Sequence, residues 1–220
     1  MLGTLFDFNG VLVDDELVHL AAFAEVLRPM GVVLTRALYE ERYLAFDDRG
    51  VFRAVLADHG LPHDDDTVAA SVEAKKPHYL ERIATGLRAF PGAVELVRRR
   101  AKLGPVGVVS GALEHEIRFA LASLDLSDSV RFVVPAEATR ACKPDPEGYI
   151  LGAAQARSLG AEGPLVAIED APSGVRAARA AGLRCVAVTH TYPREPLLAA
   201  GADAVVDSLA AATDEILAGS

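Results

Sequence analysis

Six short apolar runs constrain what this chain can fold into more than any other feature. They occupy residues 2–8, 106–109, 132–134, 165–168, 185–188 and 204–206, and from the second onward helical stretches separate them. After Gly86, Pro91 opens a helix that runs toward Gly104. Leu113, Ile117, Ala120, Leu121 and Leu124 recur at helical spacing. Asp145 and Pro146 read as a cap and a first-turn proline, with the helix ending near Gly160. Ser173 starts another helix that Gly182 ends. Strands alternating with helices imply parallel pairing and right-handed crossovers. The chain is 51% apolar but only 6% aromatic, and it lacks tryptophan. A core of Val, Leu and Ala suits strands covered by helices on both faces. The expected fold is therefore α/β: a Rossmann-like doubly wound parallel sheet.

The alternation is interrupted once, directly after the first run. From Asp15 to about Gly86 the pattern is helical only, with Phe23, Val26, Leu27 and Met30 at helical spacing, then Val51, Val55 and Leu56. Asp64, Asp65 and Asp66 mark a helix start, since aspartates favour the positive helix end. The expected organisation is a core of residues 1–14 and 87–220 with an inserted α-helical cap of residues 15–86.

Net charge is −9 at pH 7, which repels phosphate backbones and anionic membranes. Neither nucleic acid nor membrane is an expected partner. No apolar run approaches the ~20 residues that span a bilayer, and no secretory pattern is present, so a soluble cytoplasmic protein is expected. Cys142 and Cys185, the only cysteines, form no disulfide framework and no metal-site spacing. Cys142 is expected to be a buried structural thiol.

In such sheets ligands sit outside the carboxyl ends of the strands. Four runs lead into polar residues there: Asp7, Ser110, the loop holding Lys143, and Glu169 with Asp170. A carboxylate at the end of a buried strand is costly unless a metal or hydrogen bonds compensate it. Asp7 is thus a candidate nucleophile or metal ligand.

The segments Asp7-Phe8-Asn9-Gly10-Val11, Ser110-Gly111, Lys143-Pro144-Asp145-Pro146 and Glu169-Asp170-Ala171-Pro172-Ser173-Gly174 resemble, in order, the four motifs of the haloacid dehalogenase-like hydrolases. The likeness is nearest to the helical-cap branch that includes phosphatases and β-phosphoglucomutase. It implies that Asp7 attacks phosphorus and forms an aspartyl-phosphate. It also implies a Mg²⁺ ion held by Asp7, the backbone carbonyl of Asn9 and Asp170, with Glu169 as a partner. Ser110 would donate to the phosphoryl group, with Gly111 and Ala112 beside it, and Lys143 would set a cation against phosphate and Asp7. In the cap, Arg49 and Lys76 are expected to meet an anionic substrate; the adjacent Lys75 belongs to the same region.

Asn9 departs from the family pattern. The phosphatases and mutases usually carry aspartate there as general acid/base, a role an amide cannot fill and one worth about 10²–10⁴-fold in rate. His19, at the start of the cap, is the best substitute, because its pKa range suits proton transfer near neutrality. Asn9-Gly10 is also a dipeptide prone to deamidation, which would restore an aspartate. The leading expectation is a phosphatase of a small phosphorylated metabolite such as a sugar phosphate, acting as a monomer or weak homodimer. A phosphomutase and a phosphate-binding or regulatory protein without turnover remain alternatives.

Overall fold

The computed structural model describes residues 1–44 and 46–219. They form two compact units, Met1–Asp14 with Arg88–Ser220, and Asp15–Leu87. In the first unit lie β1 (Gly3–Phe6), β2 (Val106–Val109), β3 (Phe132–Val134), β4 (Leu165–Glu169), β5 (Arg184–Val188) and β6 (Ala204–Val206). Every pairing is parallel and the order is β3-β2-β1-β4-β5-β6. This is the doubly wound order, whose strand sequence reverses beside β1 and leaves a crevice there.

The second unit is built from α1 (Glu16–Leu27), α2 (Arg36–Arg42), α3 (Asp48–Asp58) and α4 (Asp65–Gly86). Three of its helices begin on side chains that satisfy orphan amides: Thr35 accepts from Leu38 N, Asp47 from Gly50 N, and Asp64 from Thr67 N. In the first unit α5 (Ala93–Ala101), α6 (Glu114–Ser123), α7 (Glu147–Ser158), α8 (Pro172–Ala180), α9 (Arg194–Ala199) and α10 (Asp214–Ala218) complete the fold. The chain leaves this unit and re-enters it side by side: Asp14 N donates to Arg88 O, and Val13 bridges Ala89 in antiparallel fashion.

Strands β1, β2 and β4 are buried along their whole length, as expected where both sheet faces are covered. Leu5, Val109, Tyr149, Val175, Cys185 and Ala187 belong to one contiguous core. Gly107 of β2 gives room to Phe132 on the next strand, since a Cβ there would lie 2.2 Å from the ring.

Several local expectations change. The run 2–8 is strand only over Gly3–Phe6; Phe8 already accepts the turn bonds from Leu12 N and Val13 N. The helix beyond Pro91 is Ala93–Ala101, because the turn at Gly92 places its φ at +85°. Met30 lies beyond α1 in a short 3₁₀ turn and is exposed, since the apolar stripe ends with the helix. Cys142 is exposed, and the buried thiol is Cys185 on β5. Among the described residues no helix is long and apolar enough to cross a membrane.

Candidate active site

The parallel register of β1 and β4 sets the centre of the site. Phe6 pairs with Ile168, and Asp7 N donates to Ile168 O at 2.9 Å. Asp7 thus emerges beside Glu169 and Asp170, although more than 160 residues separate them in the chain. One carboxylate oxygen from each of Asp7, Glu169 and Asp170 lies within 4.8 Å of the other two. Lys143 joins them, with Nζ 2.7 Å from Asp7 Oδ1 and 2.6 Å from Glu169 Oε1.

Glu169 is fully buried and its oxygens are engaged. Oε1 accepts from Lys143 Nζ and from the Tyr149 hydroxyl, and Oε2 accepts from Asp170 N. Its contacts orient Lys143, which in turn faces Asp7. Tyr149 was not singled out in the sequence, where it is one aromatic residue in an ordinary helical stretch. Thr191, in the loop after β5, donates its hydroxyl to Asp170 Oδ2; no sequence signal marks it.

Two glycines make the acidic cluster sterically possible. Gly10 has φ +76°, and a Cβ there would lie 1.9 Å from Asp170 Oδ2. A Cβ on Gly174, in the first turn of α8, would lie 2.0 Å from the Glu169 carboxyl carbon. The glycines that follow the first aspartate and the Glu169-Asp170 pair are therefore the space the carboxylates occupy.

The electrostatics are unbalanced. Burial pushes the Asp7 carboxyl up to about 7; Lys143 pulls it down and Glu169 adds to the rise. Burial likewise raises Asp170 well above the usual carboxylate range, with Asp7 and Glu169 adding to it. Burial works against the Lys143 charge, but Asp7 and Glu169 outweigh it and hold the ammonium protonated. Three carboxylates against one ammonium leave negative charge uncompensated in a largely buried site, and their donors are hard oxygens. That combination fits a divalent cation of the Mg²⁺ class.

Ser110 follows β2 and is buried; its Oγ accepts from Ala112 N at 3.0 Å. This fixes the oxygen and leaves its O–H to donate. The Ala112 amide, expected beside the substrate, is thereby committed to Ser110, whereas Gly111 is exposed. Asn9 sits in the turn before Gly10. Gly10 N, the atom that would attack the Asn9 side chain in deamidation, donates to Val13 O, and Gly10 O accepts from His190 Nδ1. The turn is held at both ends, which opposes the reaction the dipeptide alone invites.

The remaining expected residues lie in the second unit. His19 is buried with both ring nitrogens engaged, Nδ1 2.7 Å from Lys75 Nζ and Nε2 3.2 Å from Asp15 Oδ2. Lys75 is fully buried, bonded to both Asp48 oxygens at 2.6 Å, with its ammonium 4.4 Å from the Phe23 ring centroid. Lys76 is half-buried and pairs with Glu73; Arg49 is exposed. Of the two adjacent lysines, Lys75 is the buried one and Lys76 the partly exposed one.

A doubly wound sheet with a carboxylate after β1, a hydroxyl after β2, and a lysine meeting an acidic pair after β4 defines a hydrolase-type α/β site. The chain belongs to the haloacid dehalogenase-like hydrolase family, which matches residues 3–182. It is 30% identical to validoxylamine A 7′-phosphate phosphatase of Streptomyces hygroscopicus subsp. limoneus, over 93% of this chain and 92% of that protein. It is 29% identical to phosphoglycolate phosphatase of Rhodospirillum rubrum, over 96% of this chain and 88% of that one. The fold superposes on CbbY of Rhodobacter sphaeroides, crystallised with phosphate, with a TM-score of 0.83 and 25% identity, covering 96% and 95% of the two chains.

Proposed function

We propose that this protein is a Mg²⁺-dependent phosphatase of a small phosphorylated metabolite, such as a sugar phosphate, acting through an aspartyl-phosphate on Asp7. The observation that carries this reading is the Asp7–Lys143–Glu169–Asp170 cluster, in which burial, with Glu169 adding to it, raises Asp7 to about 7. The names of the relatives support the substrate class: validoxylamine A 7′-phosphate, phosphoglycolate, and in Escherichia coli a hexitol phosphate.

Asp7 and Asp170, with the Asn9 carbonyl, would hold the cation, which supplies charge neutralisation for the phosphoryl oxygens and the carboxylates. An Asp7 oxygen attacks phosphorus and the bond to the ester oxygen breaks; the leaving oxygen takes a proton from solvent water and departs as the alcohol. Water then attacks phosphorus and returns the carboxylate with release of phosphate. Lys143 lies against Asp7 and holds positive charge beside the transferring group, and the Ser110 O–H donates to one of its oxygens. The Asn9 amide provides no proton to the leaving alcohol. His19 is the proton-transfer candidate from the sequence, and its two engaged nitrogens favour a role in organising its own unit.

Asn9 also supports a second reading, a phosphate-binding protein with little or no turnover. Phosphate release from a panel of small phosphate esters with Mg²⁺ separates the two. The parent is compared with Asp7→Ala, Asn9→Asp and His19→Gln. Turnover that vanishes in Asp7→Ala and on chelation supports the phosphatase, and an Asp7→Ala variant as active as the parent overturns it. A rise of about 10²–10⁴-fold in Asn9→Asp identifies the missing acid/base. Ligand binding without product in the parent establishes the second reading, and isomerised sugar phosphate without free phosphate identifies a mutase. Peptide mass analysis at position 9 verifies that the amide is intact.

A further inference from the structure

The loop after β5 reaches the site from outside the four motifs, and outside the stretch the family matches, which ends at residue 182. Two consecutive residues of this loop grip two different parts of the site. His190 places Nδ1 2.8 Å from Gly10 O, and its ring stacks on Phe90 with centroids 3.9 Å apart and planes 13° apart. A carbonyl only accepts, so Nδ1 carries the hydrogen. Thr191 turns its hydroxyl onto Asp170 Oδ2. A Cβ on Gly10 would lie 2.9 Å from that same Thr191 Oγ1. The Asn9–Gly10 turn, the Asp170 carboxylate and the β5 loop therefore meet at one point, where only a glycine fits.

We infer that Thr191 and His190 are positioning residues for the cation site: Thr191 fixes the orientation of Asp170, and His190 fixes the turn that carries Asn9. The inference rests on the metal-dependent reading above. Thr191 is exposed, so packing does not require its hydroxyl to face Asp170. The Thr191 bond occupies Oδ2 from one side and leaves the other carboxylate oxygen for a ligand, the arrangement by which outer partners orient metal-binding carboxylates. His190 holds the following residue's carbonyl and so sets where the Asn9 carbonyl points.

The test is calorimetric titration of Mg²⁺ alone into the intact protein, without substrate. Thr191→Val removes the donor at nearly constant shape and is expected to raise the Mg²⁺ Kd by about 10- to 100-fold. Thr191→Ser, which restores a hydroxyl, is expected to return within about threefold of the parent, inside that same scale. His190→Phe keeps the stacking and loses the N–H, and is expected to weaken Mg²⁺ by about tenfold, with rescue by His190→Asn. At saturating Mg²⁺ the KM for the ester in Thr191→Val stays at the parent value, which a general structural defect would not leave intact. A parent that binds Mg²⁺ while Thr191→Val binds it equally well overturns the inference alone. A parent that binds no Mg²⁺ overturns the metal reading, and the inference with it. Should Thr191→Val not fold, Thr191→Ala against Thr191→Ser decides on the same criterion.

Discussion

The two units of this protein each bury an ionic cluster, and the clusters differ in how their charge closes. In the helical unit, Lys75 lies between both oxygens of Asp48 and the Nδ1 of His19, while Asp15 accepts from His19 and from the Tyr79 hydroxyl. Phe23 and Tyr79 stack their rings near the ammonium. Each charged group has an internal partner, and the one carboxylate raised there by burial, Glu16, accepts from the Tyr39 hydroxyl. In the sheet unit, Asp7 and Glu169 contact one ammonium while Asp170 stands beside them without that contact, and two of the three carboxylates are pushed far up. Burial alone does not mark a functional site, since both clusters are largely buried. The imbalance is the better pointer, because uncompensated buried charge is costly and perturbed carboxylates cluster where something else binds.

Charge neutralisation in the two places therefore breaks different things. The largest effect is expected from Asp7→Asn, which removes the proposed nucleophile and lowers phosphate release by about 10⁴-fold or more, measured by single-turnover assay with Mg²⁺. Activity within tenfold of the parent would remove the functional half of the comparison.

Lys75→Met is expected next. It leaves the partly buried Asp48 without the fully buried cation it faces and costs about 3–5 kcal/mol of stability, read from urea unfolding. Replacing both partners, Asp48→Leu with Lys75→Met, recovers most of that loss, because a closed pair exchanged for apolar groups is nearly neutral. No recovery in the double variant would show that the cluster does more than close its own charge.

The third prediction inverts the first. The folded protein keeps a proton on Asp7 up to about pH 7, whereas the unfolded chain releases it near 3.8. The folded state binds more protons across that window, so stability falls as pH rises through it and is flat above. In chelator at pH 8, Asp7→Asn is therefore expected to melt above the parent by roughly 2–6 °C, and the difference should vanish near pH 4. A lower Tm for Asp7→Asn at pH 8 would mean the cluster is not frustrated.

The smallest effect concerns the rate profile. The attacking group must be ionised, so the acid limb of phosphate release is expected near pH 7 at limiting Mg²⁺. It should move to lower pH as Mg²⁺ saturates, because a cation beside Asp7 favours the carboxylate. A limb that ignores Mg²⁺ concentration would separate Asp7 from the cation.

Much of this was legible in the chain because it is local. The valine-rich runs, the capping aspartate at position 64 and the glycines after Asp7 and Asp170 are matters of period, capping and backbone freedom. They act within a few residues and survive in a single sequence. The four polar strand ends could be placed at one edge because parallel pairing forces all strands to end on the same side.

Other features depended on what packs against what. Lys75 and Lys76 both lie three or four residues from Val72 and from Tyr79, so the helical period fits either on the buried stripe of α4. Packing of α1 and α3 chose Lys75. The grip of His190 and Thr191 on the motif-one turn and Asp170 joins residues up to 180 positions apart. No local pattern encodes such a pairing. The sequence by itself determined which residues stand at the strand ends and what chemistry they carry. Only the tertiary structure decided that three carboxylates would gather around one ammonium that contacts two of them, because charge balance is a property of the residues a fold brings together.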